Sequence, residues 1–189
     1  MTNGSRETLI TREMAAAVGK TYRLATSFPI AVSDIRRWAV AVYYPSPPPR
    51  RFWDEEYAKS TRWGGIVAPE EFNPFAWMRA TPRPGETFPD LWPEPHLGIE
   101  PPATCANILV ELTTSSTGIG MRPGDVITSS LSLKNYSEHT GRLGLMLFTT
   151  TEEKLTNQVG ALVRTYIHTF IRYGERDERL YTRYASRTA

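Results

Sequence analysis

The chain has 189 residues, and 22 basic against 20 acidic side chains leave it close to electrical balance. That balance offers no basic surface for nucleic acid, and no apolar run approaches the roughly 18 residues of a membrane-spanning helix. One cysteine and three histidines exclude an internal disulfide and a zinc site of the usual spacing, and the N-terminus has no secretory signal. We therefore expect one domain over residues 1–189, in the cytoplasm, with no bound metal and no cofactor.

The first sixty residues combine short helices with a single strand. Residues 6–18 predict a helix, and 20–28 predict a strand. Ser33 suits the N-cap of a second helix over 34–43, whose apolar residues recur at helical spacing. Asp54 suits the N-cap of a third helix in the stretch DEEYAKST, whose acidic first turn favours a helix N-terminus.

Two glycines, Gly64 and Gly65, precede a short apolar run and then Pro69. Because proline is common in the first turn of a helix, we expect a helix over 66–78, the most apolar helical candidate in the chain. Pro74 leaves two alternatives open, a helix that begins only near Asn73 or one that kinks there. Backbone N–H groups at such a helix start can stabilise an oxyanion. The alternative is a glycine turn that only lets the helix pack close to a sheet.

Beyond a proline-rich loop over 82–102, the pattern changes from helical spacing to alternation. Glycine-containing turns separate four stretches rich in β-branched and aromatic residues. We expect strands over 104–114, 125–136, 143–152 and 161–172, followed by a charged tail over 174–189. One early strand, a helical block and four consecutive strands predict an α+β fold, with a mostly antiparallel sheet curled around the 66–78 helix.

The common metal-binding and phosphate-binding motifs are absent from the sequence. Cys105 and His168 lie inside predicted strands, and we interpret both as structural residues. Asp54, Glu55 and Glu56 are candidate catalytic carboxylates, but the capping of a helix explains all three.

Three segments of the sequence carry a family resemblance. They are SDIRRWAVAV, then FWDEEYAKSTRWGGIVAPEEFNPFAWM, then the strand region with MRPGDVITSS and TNQVGALV. In this order they resemble the MaoC-like acyl dehydratases and hydratases, and most of all the N-terminal-type domain of that family. The resemblance covers roughly residues 6–173. It implies a hotdog fold, in which a curved antiparallel sheet wraps one helix, and it implies that two hotdogs pair and bind acyl thioesters between them.

The chain departs from that family in one motif. Its hydratases carry G-D-x-N-P-x-H after the helix that ends here near Tyr43, and the Asp and His activate the water that adds to the enoyl double bond. This chain has YYPSPPPRR over 43–51, with neither residue. It then resembles the non-catalytic subunits of heteromeric members such as the actinobacterial steroid side-chain hydratases. This implies a partner MaoC-like hotdog that carries the catalytic Asp and His, in a heterodimer or heterotetramer, and an isolated chain that is inactive.

The resemblance also implies that the chain binds an acyl-CoA thioester with a bulky acyl group, and that it contributes pocket walls rather than catalytic residues. Coenzyme A enters as part of the substrate, with its phosphates contacted by residues such as Arg50, Arg51 or Arg142. The expected substrate-binding residues are Tyr44, Trp53, Trp63, Gly64, Gly65, Ile66, Val67, Ala68 and Arg142. Two other functions stay open: a scaffold subunit that binds acyl-CoA without catalysis, and a hotdog thioesterase with a carboxylate of the third helix as its base.

Overall fold

Short helices and long strands make up the part of the chain that the structure describes. The computed structural model describes residues 8–76, 92–102, 104 and 106–174. The helices are α1 (Arg12–Ala17), α2 (Val32–Tyr43), α3 (Glu55–Lys59) and α4 (Pro93–His96), with a 3-10 turn at Arg50–Phe52 before α3. The strands are β1 (Thr21–Thr26), β2 (Ala106–Ser116), β3 (Thr128–Gly141), β4 (Gly144–Thr156) and β5 (Leu162–Tyr173). The predicted strands and the α+β class are confirmed.

The five strands form one curved antiparallel sheet in the order β1-β3-β4-β5-β2, so β1 and β2 are its edges. The register places Thr149 of β4 between Tyr136 of β3 and Phe170 of β5. Thr149 is buried, and strand residues alternate between the two faces, so the even-numbered residues of β5 from Arg164 to Arg172 lie on the buried face. The β3–β4 hairpin is longer than predicted because it continues to a two-residue turn at 142–143.

Two apolar clusters cover the two ends of the buried face. At one end, Ile35 and Ala39 of α2 pack with Val67, Phe72 and other residues of the same cluster, including Ile127 just before β3. At the other end, Met14 and Ala17 of α1 pack with Leu133, Tyr136 and Leu147. The helix that covers the first end is therefore α2, together with the chain that follows α3.

The N-terminal ends of two helices differ from the prediction. The helix predicted over 6–18 begins only at Arg12, because the Thr11 hydroxyl caps it by accepting from Met14 N–H at 3.1 Å. Residues before it are held by Glu138, whose carboxylate accepts from Ile10 N–H at 3.2 Å. Ser33 is not an N-cap, since α2 begins at Val32 and the Asp34 carboxylate accepts from the N–H of Ala31. The Asp54 cap of α3 is confirmed: its carboxylate accepts from Tyr57 N–H at 3.0 Å.

The helix predicted over 66–78 is wrong for the residues that the structure describes. Residues 66–75 form extended chain and turns, while Trp77 and Met78 lie outside the described residues. Pro69 and Pro74 have no N–H to donate within a helix, which favours other partners for this stretch. Ala68 N–H instead donates to the Met121 carbonyl at 2.8 Å, so this segment lies against the loop that follows β2.

The described part of the predicted proline-rich loop contains α4, with Pro93 at its first position, where no N–H is needed. The carboxylate of Glu94 is fully buried, accepts from the Tyr136 hydroxyl at 2.8 Å and lies 3.7 Å from the guanidinium of Arg172. These contacts attach α4 to the sheet. Residues 82–91, and the predicted tail beyond Gly174, lie outside the described residues. Over the described ranges, every helix is too short or too polar to cross a bilayer.

Candidate functional site

A cleft of about 620 Å³ opens at the end of the sheet where β2 ends and β5 begins. Its walls come from the chain between the end of α2 and α3, from residues 61–71, and from the loop over 116–121. β5 contributes one side chain, Arg164. Clefts of this size hold organic ligands, and this one is the candidate site.

Aromatic rings form one wall of the cleft. Tyr43 ends α2, Phe52 lies in the 3-10 turn, Tyr57 lies on α3, and Trp63 follows α3. The ring centroids of Tyr43 and Phe52 are 5.8 Å apart. Such rings offer large apolar area that suits an acyl chain or a fused ring.

A second wall forms where Val67 and Ala68 meet the loop after β2. Gly120 permits this approach, because a Cβ there would overlap Val67 Cγ2 and would lie 3.1 Å from Trp63 Cζ3. The sequence places the close backbone approach at Gly64 and Gly65, and it marks Gly120 only as part of a turn. Gly120 is therefore a residue that sequence reasoning missed.

The two glycines of the predicted site differ from each other. Gly64 has φ +64°, in the left-handed region, and its N–H donates to the Thr61 carbonyl at 3.0 Å. A Cβ at Gly65 would meet nothing within 4 Å, so tight packing does not explain that glycine. Within the described residues, the N–H groups of Gly65, Ile66 and Val67 donate no hydrogen bond. The oxyanion role of this backbone stays a prediction.

The charged side chains of the cleft differ in how deeply they are buried. Arg164 is only 5% exposed, and its Nη1 donates to the Phe72 carbonyl at 3.1 Å and to the Tyr166 hydroxyl at 2.7 Å. Arg51 and Arg62 are nearer the surface, and each stacks on a ring of the aromatic wall, Phe52 and Trp63 respectively. The two carboxylates of the cleft, at positions 70 and 71, are exposed.

The cleft brings together three of the expected substrate-binding residues: Trp63, Val67 and Ala68. Ile66 is buried in the adjoining apolar cluster, and Gly64 and Gly65 are next to the cleft in sequence without lining it. The sequence signal for these residues was the glycine pair before an apolar run.

The other expected residues do not line the cleft. Tyr44 is 81% exposed, and the Trp53 indole N–H donates to the Pro48 carbonyl at 3.0 Å. Arg142 lies in the β3–β4 turn, at the opposite end of β4 from Leu155, which pairs with Arg164. About eleven residues of strand, or roughly 35 Å along the chain, separate Arg142 from the cleft.

The titratable groups with shifted pKa values have structural explanations. The Tyr57 N–H and the Arg50 guanidinium hold the pKa of Asp54 below its ordinary value, so this carboxylate is engaged in a cap and an ion pair. His168 lies outside the cleft between the rings of Tyr166 and Phe170, and burial lowers its pKa. No three side chains of metal-ligand type cluster within the described ranges.

Residues 16–166, most of the chain, match the model of the family described as the FAS1-like, dehydratase domain region. The chain belongs to this family. The resemblance to MaoC-like dehydratases is thereby confirmed. The comparison of this chain with curated proteins found no match.

Solved structures of this dehydratase type share the fold. The ChsH1-ChsH2 complex from Mycobacterium tuberculosis has a TM-score of 0.61 at 13% identity, over 82% of this chain and 85% of that chain. A MaoC-like dehydratase from Rhodospirillum rubrum has a TM-score of 0.51 at 19% identity, over 85% and 94%. The (R)-hydratase from A. caviae involved in PHA biosynthesis has a TM-score of 0.50 at 14% identity, over 80% and 95%. The hotdog fold is thus confirmed.

The segment in which the dehydratase family's hydratases carry their Asp and His borders the cleft. It leaves α2 at Tyr43 and ends in the 3-10 turn, and it contains neither residue type. Among the described residues that line the cleft there is no histidine, and the carboxylates are the exposed Glu70 and Glu71. The described residues therefore supply the cleft with aromatic rings, backbone N–H groups and a buried cation. They do not supply an acid and a base that could act together on one water molecule.

Proposed function

We propose that this chain is one half of a MaoC-type enoyl-CoA hydratase or acyl dehydratase, the half without the Asp/His dyad. It completes the pocket for a bulky acyl-CoA thioester, and a second MaoC-like hotdog supplies the catalytic Asp and His. One observation carries the proposal: the segment over 43–51 borders the cleft but holds no carboxylate and no imidazole.

The chemistry of hydration explains why a partner is required. Addition of water to an enoyl thioester needs one group to take a proton from the water and another to deliver a proton. The cleft otherwise offers tyrosine hydroxyls, and a phenol is a poor base at neutral pH. This chain's part is to bind and orient: rings hold the acyl group, and Arg51 and Arg62 at the surface suit the coenzyme A phosphates.

The edge of the sheet supports a partner of the same fold. Among the described strands, β2 pairs with β5 alone, and it exposes large apolar side chains at 108, 109, 110 and 112. An exposed edge strand with apolar side chains favours pairing with another strand. We propose a heterodimer or heterotetramer, in the cytoplasm, with coenzyme A present only as part of the substrate.

The test compares the lone chain with the assembled pair. We expect the purified full chain to hydrate neither crotonyl-CoA nor a steroid enoyl-CoA at a significant rate. The same chain co-purified with a hotdog that carries G-D-x-N-P-x-H should hydrate them at least 100-fold faster. Loss of one acid–base group already removes about 10²–10⁴ in rate. Hydration is followed by the loss of enoyl absorbance, and hydrolysis is followed in parallel by the loss of the thioester.

Each other outcome identifies a different function. Hydration by the lone chain at an ordinary rate contradicts the proposal. Thioester hydrolysis by the lone chain identifies a thioesterase. Tight acyl-CoA binding without turnover in any pairing identifies a scaffold subunit. The matched control is a partner whose motif histidine is replaced by alanine, which must silence the pair while leaving its assembly intact.

A further inference from the structure

The guanidinium of Arg164 is a buried positive charge that lines the cleft. Its hydrogen bonds both come from Nη1, to the Phe72 carbonyl and the Tyr166 hydroxyl, and both acceptors are neutral. Nε and Nη2 make no hydrogen bond within the described part of the chain, and neither is a fully buried atom, so both stay accessible from the cleft. Glu70 and Glu71 line the same cleft, yet neither forms an ion pair with Arg164.

A buried cation without a counter-ion is costly, since the protein gives little of the solvation that water provides. Buried arginines in folded proteins are therefore usually paired with an anion. The same strand shows such pairing, because Arg172 lies 3.7 Å from the buried carboxylate of Glu94. The unmatched charge at Arg164 fits an anion that arrives with a ligand.

The geometry points to a carboxylate as that anion, so we propose that the acyl group of the bound thioester ends in a carboxylate held by Arg164. This inference rests on the proposed function, which makes the cleft a thioester site. The planar fork of a guanidinium matches the two oxygens of a carboxylate. A phosphate would bring a second negative charge to a buried position with a single cation. The remaining cations of the cleft, Arg51 and Arg62, lie nearer its surface, where coenzyme A phosphates stay hydrated.

Two thioesters of equal chain length test the proposal on the full chain: glutaryl-CoA, which ends in a carboxylate, and pentanoyl-CoA, which ends in a methyl group. We expect calorimetry to give at least tenfold tighter binding of glutaryl-CoA, about 1.4 kcal/mol. Arg164→Gln keeps a donor for the Phe72 carbonyl and removes the charge. In that variant we expect the preference to disappear while the melting temperature stays near that of the wild type.

The matched control is Arg62→Gln, which removes a cation from the outer part of the same cleft. It should weaken both thioesters equally and keep the preference for glutaryl-CoA. Free glutarate, titrated at millimolar concentration and followed by NMR, should perturb the wild type and leave Arg164→Gln unchanged.

The outcomes separate this inference from the proposed function. Equal affinity for the two thioesters overturns the carboxylate, and so does an unchanged preference in Arg164→Gln, while the hydratase proposal stands on its own test. Desulfo-coenzyme A, which has the phosphates and no acyl group, must keep its affinity in Arg164→Gln; a tenfold loss would assign Arg164 to a phosphate instead. A third outcome is that glutarate and glutaryl-CoA bind through Arg164, but the chain and its hotdog partner never hydrate an enoyl-CoA. That outcome would support the carboxylate site and overturn the proposed hydratase function.

Discussion

Arg164 and Arg172 lie on the same strand and the same face of the sheet, and they are buried to almost the same degree, 5% and 3% exposed. Their surroundings differ. The Arg172 guanidinium lies 3.7 Å from the Glu94 carboxylate and 3.4 Å from the centre of the Trp92 ring. Arg164 has only neutral acceptors and an open cleft. Arg172 attaches α4 to the sheet, whereas Arg164 is available to bind a ligand in the cleft.

The ion pair of Arg172 with Glu94 belongs to a buried structural network. Glu94 is fully buried and accepts from the Tyr136 hydroxyl at 2.8 Å. Burial, followed by the nearby Glu94 charge, raises the pKa of Tyr136, so this hydroxyl stays a donor over the usual pH range. Its members lie on α4, β3 and β5, so the network holds residues 92–102 against the sheet.

Replacement of each arginine should therefore change the free energy of unfolding by very different amounts. Arg172→Met leaves the Glu94 carboxylate buried without its cation, and breaking a buried ion pair in this way costs about 3–5 kcal/mol. Arg164→Gln removes a charge that nothing balances, so it should change stability by less than about 1 kcal/mol, in either direction. Urea unfolding of both variants on matched preparations measures the difference.

The double variant Glu94→Leu/Arg172→Met is the control for the first result. It removes both charges, so we expect it to be more stable than Arg172→Met alone. Equal costs at the two arginines would remove the distinction between a structural cation and a cation that waits for a ligand.

Gly120→Ala should show how closely the wall of the cleft is fitted. The added Cβ overlaps Val67 Cγ2, and overpacking of this kind costs about 1–3 kcal/mol. Gly65→Ala is the matched control: its Cβ meets nothing within 4 Å, and the backbone there is not in the left-handed region. Thermal melts of the two variants should place Gly120→Ala below Gly65→Ala.

A rescue variant keeps this second result interpretable. Val67→Ala removes the methyl groups that the new Cβ meets, so Gly120→Ala should cost less in the Val67→Ala background than in the wild type. The same cost in both backgrounds would mean that the loop after β2 yields elsewhere, and that Gly120 does not set the position of the wall.

The sheet could be predicted from the sequence because its signals are local. Alternation of apolar and polar residues, with glycine turns between the stretches, identifies each strand and tolerates errors of a few residues at the ends. The helix over 66–78 failed because Pro69 and Pro74 weaken helical hydrogen bonding and the loop at Met121 offers a better partner. That partner lies about fifty residues away, beyond the reach of any local pattern.

The site was predicted only where its signal was local. Trp63, Val67 and Ala68 follow from the glycine pair beside them. Arg164 is an ordinary strand residue in the sequence, and Gly120 an ordinary turn residue. Both acquire a role only when β5, the loop after β2 and the chain after α3 come together. Neither the burial of Arg164 nor its lack of a carboxylate can be derived before that assembly is known.

The smallest expected effect concerns His168, midway between the two arginines on the same face of the sheet. Burial lowers its pKa, the Glu153 carboxylate opposes that shift, and Arg23 adds to it. A histidine with a lowered pKa stays neutral in the folded state while the unfolded chain takes up a proton, so stability falls as pH drops below about 6.5. His168→Gln should lose less stability than the wild type between pH 8 and pH 5, measured by urea unfolding at both values. Because the side chain is half-buried, the difference should be much smaller than the loss of stability in Arg172→Met. An identical pH dependence in the two proteins would mean that His168 titrates alike in the folded and unfolded states, and that the middle of this face is open to water like its cleft end.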